Sequence, residues 1–235
     1  MTKRMIHFSG TVIALFLLFE IIREILLRKP IIAGFFIFAT IIWTLVFSRF
    51  SYKLFKPKDV QKIAYIPEPK LYYAVFIFLY CSSLLLGCYI FYQTMNKYKW
   101  FYTITSIFSF LLVWVGAFCH RRAVEQLGNR WVDGIVVQPE QKIEIKKWYS
   151  IVRHPVYFSN LLLSIGTNFF FSLITAIFTG IIYFIAANNR ASKEEQLLIQ
   201  HIPQYEEYRK KTPAKLLPKP SEFFKMLFTD FRNWY

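Results

Sequence analysis

Cysteine is scarce in this chain, with three among 235 residues, at positions 81, 88 and 119. Three thiols in or at the ends of apolar runs make neither a disulfide framework nor a metal-ligand spacing. Acidic side chains are also few: 14, against 29 Lys and Arg, for a net charge of +15. Glycine is low, and no glycine-rich loop of the kind that cradles phosphates is present. Internal repeats and low-complexity tracts are missing. What the chain has is apolar surface: 55% of its residues are hydrophobic and 20% aromatic. An ordinary soluble domain has roughly 45–50% apolar residues with glycine included.

The apolar residues fall in runs long enough to cross a bilayer, which takes about 17–25 residues. Four runs predict spans, at 9–27, 31–47, 71–93 and 100–119. Glu20, Arg23 and Glu24 sit near the end of the first, which therefore ends near residue 20–22 with its tail at the interface. Lys3 and Arg4 precede it as in a signal peptide, but no small-residue cleavage site follows, so the helix is expected to stay. A fifth run, 156–187, is too long for one span and short for two. Gly166-Thr-Asn168 interrupts its middle, and a tight helical hairpin is preferred over one long kinked helix.

Of the 29 basic residues, 24 lie at the N-terminus, in the 48–70 loop, in 120–155 and in the tail from 188. The positive-inside rule places both termini and these segments in the cytoplasm, with an even number of crossings. The excess charge is then topology and attraction to anionic headgroups. It does not build a compact nucleic-acid-binding domain. Residues 55–70, with three prolines, read as an ordered loop, and Trp43, Tyr72, Tyr73, Trp100 and Tyr102 suit the interfacial belt. Residues 191–211 read as a helix capped by Ser192 and broken at Pro203. At the end of the chain, Phe224, Leu227, Phe228, Phe231, Trp234 and Tyr235 recur at helical spacing, with Lys225, Asp230 and Arg232 largely elsewhere. This predicts an amphipathic interfacial helix over 219–235, or equally a helix packed on the rest of the protein.

Polar clusters flank the fifth run. Arg153-His154-Pro155 stands at its start, where Pro155 suits the first turn of a helix and leaves its free N–H groups facing outward. Arg190 stands at its end, with Glu194 one turn on and Glu195 beside it. A hairpin brings its ends together, so Arg153, His154 and Tyr157 should lie near Arg190, Glu194 and Glu195. Two polar clusters converging at a membrane surface look like a site.

The pattern then becomes recognisable. LGNRW at 127–131, QKIEIKKWYSIVRHPVY at 141–157, Arg190-Ala-Ser-Lys-Glu194-Glu195-Gln-Leu-Leu198, and Tyr205-Glu-Glu-Tyr208 with Pro213 and Pro218 occur in one order. This order resembles the isoprenylcysteine carboxyl methyltransferases and their prokaryotic relatives, close to the phospholipid N-methyltransferases. The resemblance covers about 120–218. It departs from the pattern at Lys147 and Ser159, where the family has glycine, and at His201-Ile202-Pro203.

The resemblance implies an all-α polytopic membrane protein with a C-terminal helical hairpin and a cytosolic cofactor pocket. Residues 1–119 would form the N-terminal spans and 120–218 the methyltransferase core. It implies S-adenosylmethionine as cofactor and a lipid-like substrate entering from the bilayer. Carried over by position, Gln141 and Ile143 would line the cofactor from a strand-like piece. Tyr149, Arg153, His154, Pro155 and Tyr157 would contact it, and Glu195 would reach its amino acid or ribose. Arg190 and Glu194 would act where the acceptor arrives. That acceptor is expected to be the carboxylate of a prenylated cysteine. A phospholipid amine or a small thiol is the alternative. A sterol-reductase-type protein or a non-enzymatic membrane scaffold ranks lower. The membrane would be a bacterial inner membrane or the endoplasmic reticulum.

Overall fold

A computed structural model of the chain describes residues 62–67, 70–94, 97–132 and 134–232. The expected spans at 9–27 and 31–47, with Glu20, Arg23 and Glu24, lie outside the described residues, as do most of the 55–70 loop, Trp43, Trp234 and Tyr235. The described elements are two short strands and seven α-helices. In chain order they are β1 (Ala64–Ile66), α1 (Lys70–Thr94), α2 (Lys99–Leu127), β2 (Ile135–Val137) and α3 (Trp148–Ile151). After these come α4 (Pro155–Phe169), α5 (Leu173–His201), α6 (Gln204–Lys211) and α7 (Pro220–Arg232). Among the described residues the protein is all-α apart from the β1–β2 pair.

Among the described residues, three stretches are long and apolar enough to cross a membrane: Ile77–Thr94, Trp100–Leu127 and Leu173–His201. Leu85, Tyr89, Phe108, Ile174 and Phe178 stand exposed on them. Helices apolar on nearly every side belong in lipid. The expected span at 71–93 coincides with α1. The span expected to end at 119 continues to Leu127. Arg121 and Glu125 pair one turn apart at 2.7 Å on its polar end, and Gly128, at φ +56°, stops it.

The hairpin is formed by α4 and α5. The break comes at 170–172, not at Gly166-Thr-Asn168, which are all helical. The Asn168 carbonyl accepts the N–H groups of Phe171 (3.0 Å) and Ser172 (2.9 Å) and turns the chain. Gly166 serves packing instead. A Cβ there would lie 2.8 Å from Val113 Cγ2 and 3.0 Å from the Val113 nitrogen. Gly116 on α2 makes the reciprocal approach, 3.0 Å from Leu163 Cγ and 3.1 Å from the Ser159 carbonyl. Small residues let the two helix backbones touch, which is how helices associate where lipid removes the hydrophobic drive. Ser109 Oγ adds a hydrogen bond to the Gly166 carbonyl at 2.5 Å.

α5 is continuous from the membrane through His201, so no helix begins at 191. Ser192 is an interior residue whose hydroxyl donates to the Asn188 carbonyl at 2.9 Å. The N–H groups a cap would serve are already bonded in the preceding turn. The break at Ile202-Pro203 falls where expected. The strand is also displaced from its expected place: 141–145 has no regular structure, and β2 pairs antiparallel with β1, Val136 opposite Tyr65. Ile135 and Val137 bury against Leu197, Leu198, Ile202, Tyr205 and Tyr208, so the sheet sits on the polar end of α5.

α7 packs one face on the protein. Leu227 joins a buried cluster with Phe118, Cys119, Trp148, Ile151 and Val152. Asp230 belongs to that packed face: it is 4% exposed, accepts the Trp148 indole N–H at 2.5 Å and pairs with Arg122 at 3.3 Å. Phe224 and Phe228 remain exposed on the other face.

Candidate functional site

The site grows from a corner of the chain between α2 and α4. Lys147 takes φ +48° and ψ −122°, a backbone region that suits glycine. The family pattern has glycine at this position, and the chain keeps the glycine backbone with a lysine in place. The turn launches α3, which buries Trp148 and Tyr149. Val152 is extended, and Pro155 opens α4 at its first position.

Segment 212–216 straps this corner down. The Arg153 N–H donates to the Ala214 carbonyl (2.9 Å) and the His154 N–H to the Lys215 carbonyl (3.1 Å). Arg153 Nη1 donates to the Thr212 (2.7 Å) and Pro213 (2.8 Å) carbonyls. Its Nε and Nη2 reach Glu195 at 2.8 and 3.4 Å. Lys215 Nζ holds Ser192 Oγ at 2.5 Å, and Leu216 buries against Ala187 and Ala191. A guanidinium has five donors, and four such bonds leave Arg153 little for a ligand.

Glu195 is 6% exposed and bridges the hairpin's two ends, with His154 Nε2 3.0 Å from its Oε1. A carboxylate held by a guanidinium only accepts, so the ring proton sits on Nε2. His154 Nδ1 faces Glu194 Oε2 at 3.7 Å. Tyr157 stacks on His154 with centroids 5.3 Å apart and an interplanar angle of 7°. Its hydroxyl donates to Glu194 at 2.9 Å, and the Arg190 guanidinium lies 5.6 Å from its ring centroid.

These groups border a cleft of about 300 Å³, at the lower end of the roughly 300–1,000 Å³ of small-molecule sites. Gln141, Ile143, Tyr149, Arg153, His154, Pro155, Tyr157, Arg190 and Glu194 all line it. Glu195 does not: it stands behind Arg153 and His154 and fixes them. The cleft also takes residues that reading by motif had not selected: His120, Arg130, Trp131, Glu144, Asn160, Tyr205 and Tyr208. Arg130 and Glu144 lie inside the quoted stretches LGNRW and QKIEIKKW, so their signal was in hand. His120 falls one position past the expected end of its span.

Arg130 fastens the outer wall. It pairs with Glu144 at 2.7 Å and donates to the Lys142 carbonyl at 3.0 Å. Burial raises the Glu144 pKa, but the Arg130 guanidinium, the Lys146 N–H and Gln126 outweigh it and hold the carboxyl below its ordinary value. Burial pushes the Tyr149 phenol well above its ordinary value, and does the same to Tyr205 and Tyr208. All three remain hydrogen-bond donors at neutral pH, and Tyr208 uses its proton on the Tyr149 carbonyl at 2.6 Å.

Fold and cleft together define a class: a polytopic helical membrane protein with a polar cleft at one end of its α4–α5 hairpin. Residues 109–200 match the family model of the isoprenylcysteine carboxyl methyltransferase (ICMT) family. The resemblance drawn from the motifs is borne out over that segment, which holds α4, α5 and most of the cleft. The strap at 212–216 lies beyond it. No curated protein sequence matches the chain.

Proposed function

We propose that the chain is an integral-membrane, S-adenosylmethionine-dependent methyltransferase whose acceptor is the carboxylate of a prenylated cysteine or a similar lipid-like acid. One observation supports this best. One cleft is lined from both ends of the α4–α5 hairpin and carries two carboxylates, Glu144 and Glu194, and three arginines, Arg130, Arg153 and Arg190. In this reading 120–218 is the catalytic core, the preceding spans anchor it, and 219–235 lies at the interface on the cytoplasmic side.

The residues present fit such a cofactor. Tyr149, Trp131 and Tyr157 offer aromatic faces, Gln141 an amide, the Ile143 region an apolar wall, and Glu144 and Glu194 negative charge. The cofactor, when bound, supplies a methyl group on a positively charged sulfur. Tyr149, His154, Pro155 and Tyr157 contact it; Arg153 and Glu195 act one layer back, holding His154 in place. An acceptor carboxylate is already ionised, so no side chain has to remove a proton. The chain's task is to strip water and hold the carboxylate in line. Arg190 can grip it with two parallel N–H bonds, and Glu194, through Tyr157, keeps the surrounding cluster oriented.

The test is a methyl-label transfer with purified protein, a prenyl-cysteine analogue and total lipid extract side by side. Base-labile label on the analogue is expected, together with calorimetric S-adenosylmethionine binding that His154→Ala abolishes. Label found only on a lipid amine would replace the acceptor, and no cofactor binding at all would remove the reading.

A further inference from the structure

We propose that the Tyr205 hydroxyl is a hydrogen-bonding contact for the nucleoside half of the cofactor, at the end of the cleft away from the acceptor. The proposal rests on the methyltransferase reading above. It gives a role to a residue for which the motifs supplied none.

Position comes first. Arg190, Glu194 and Leu198 line the cleft from α5 at successive turns. Eight residues separate the first from the last, about 12 Å of rise. α5 then ends at His201, and α6 starts at Gln204. The Tyr205 N–H donates to the Ile202 carbonyl at 2.9 Å. This break turns Tyr205 back against Leu198, with which it shares a buried cluster. Tyr205 therefore stands at the opposite end of the line from Arg190. An acceptor gripped by Arg190 is beyond its reach, and a second ligand extending outward from there is not.

The wall at this end is apolar. Ile143, Leu198, Tyr205 and Tyr208 all line the cleft and pack in one hydrophobic cluster. The charged groups of α5, Arg190 and Glu194, come earlier on the helix. On the outer wall Arg130 and Glu144 already neutralise each other at 2.7 Å.

One polar atom interrupts that wall. Tyr208 spends its hydroxyl on the Tyr149 carbonyl at 2.6 Å. The Tyr205 hydroxyl has no hydrogen-bond partner among the described residues, although the side chain is only 3% exposed. Its ring is held: Tyr208 meets it edge-on, with centroids 5.5 Å apart and an interplanar angle of 72°. A phenol buried to this degree ordinarily has a partner, and a ligand in the cleft supplies one.

Chemistry then selects the half. The amino-acid half of the cofactor carries an ammonium and a carboxylate, which call for ions. The nucleoside half carries a flat base, neutral ring nitrogens and sugar hydroxyls. A neutral phenol meets such groups as donor or as acceptor, and the Ile143 and Leu198 side chains give the base an apolar seat.

The experiment uses the full chain in lipid nanodiscs. Calorimetry measures the affinity of S-adenosylhomocysteine. Competition against it measures that of 5′-methylthioadenosine, which keeps the nucleoside and lacks the amino acid. Tyr205→Phe removes an oxygen that no described protein group uses, so the melting temperature of the ligand-free protein should not move. Both affinities should fall about three- to tenfold, the loss of one uncharged hydrogen bond. Unchanged S-adenosylhomocysteine affinity in the variant overturns this contact alone and leaves the methyltransferase reading standing. A loss confined to S-adenosylhomocysteine overturns it too, by assigning the hydroxyl to the amino-acid half. A lower melting temperature without ligand overturns it by showing that the hydroxyl serves the fold. Failure of the unaltered chain to bind S-adenosylmethionine or S-adenosylhomocysteine removes the contact and the methyltransferase reading together.

Discussion

The two ends of the α4–α5 hairpin are built from the same helices by opposite means. At the membrane end the helices meet through small residues and short uncharged hydrogen bonds. Gly180 of α5 lies against Ile165 of α4, Gly166 of α4 lies against Val113 of α2, and Asn168, fully buried, faces Ser83 of α1 at 3.2 Å, which in turn accepts from Thr179 of α5 at 2.8 Å. Around that contact, Ile174, Ile177 and Phe178 stand exposed. At the other end, beside the cleft, the contact is made by ions and by the tail: Arg153, Glu195, His154 and the strap. Close packing needs no ligand to complete it. Ionic and hydrogen-bonded closure around a cavity leaves room for one. The difference teaches that the membrane end specifies the hairpin, and the polar end keeps a cleft beside it.

Three substitutions probe that division. The largest effect is expected from Arg153→Ala. It leaves Glu195 buried without its guanidinium and frees the Thr212 and Pro213 carbonyls, and breaking a buried pair in this way costs about 3–5 kcal/mol. Chemical unfolding in detergent should show it, with the strap becoming protease-sensitive while α1 and α2 stay protected. Next comes Gly166→Ala, which forces a methyl against the Val113 backbone. Overpacking of this kind costs about 1–3 kcal/mol. Here the unfolding midpoint should fall while ligand binding in the cleft is kept, and loss of binding would mean that the two ends are not separable. The smallest effect has the opposite sign. Lys147→Gly relieves a strained backbone at some cost in chain entropy, for a net gain of about 1 kcal/mol, read as a rise in the same midpoint. A fall would show that the lysine side chain holds the turn.

Much of the polar end was legible because its chemistry comes in patterned sequence. Arg153-His154-Pro155 and Arg190 with Glu194 and Glu195 bracket one apolar run, and a run too long for one span folds back on itself. The role of Arg153 was not legible, since its partners are largely backbone carbonyls sixty residues on, which no side-chain pattern announces. The pairing of β1 with β2 was hidden for a similar reason: each strand is three residues long, and their partners are seventy residues apart. Gly166 read as a break because glycine commonly is one, yet here it marks a helix–helix contact. Asp230 read as a solvent-facing charge because helical spacing cannot reveal that Trp148 and Arg122 lie across from it. Lys147 and Ser159 looked like losses of family glycines. One keeps the glycine backbone, and the other buries a hydroxyl between the Val156 carbonyl and His120.

The strap has a consequence for how the molecule comes into being. A ribosome delivers α1, α2, α4 and α5 before it delivers residues 212–216, and those helices can enter the bilayer as they emerge. The corner that carries His154 then waits, with Arg153 half-partnered, until the following residues arrive and dock. Insertion and the docking of this corner are thus separate events in the life of the chain, and a truncation near residue 212 would yield a protein that reaches its membrane with Arg153 and His154 unstrapped.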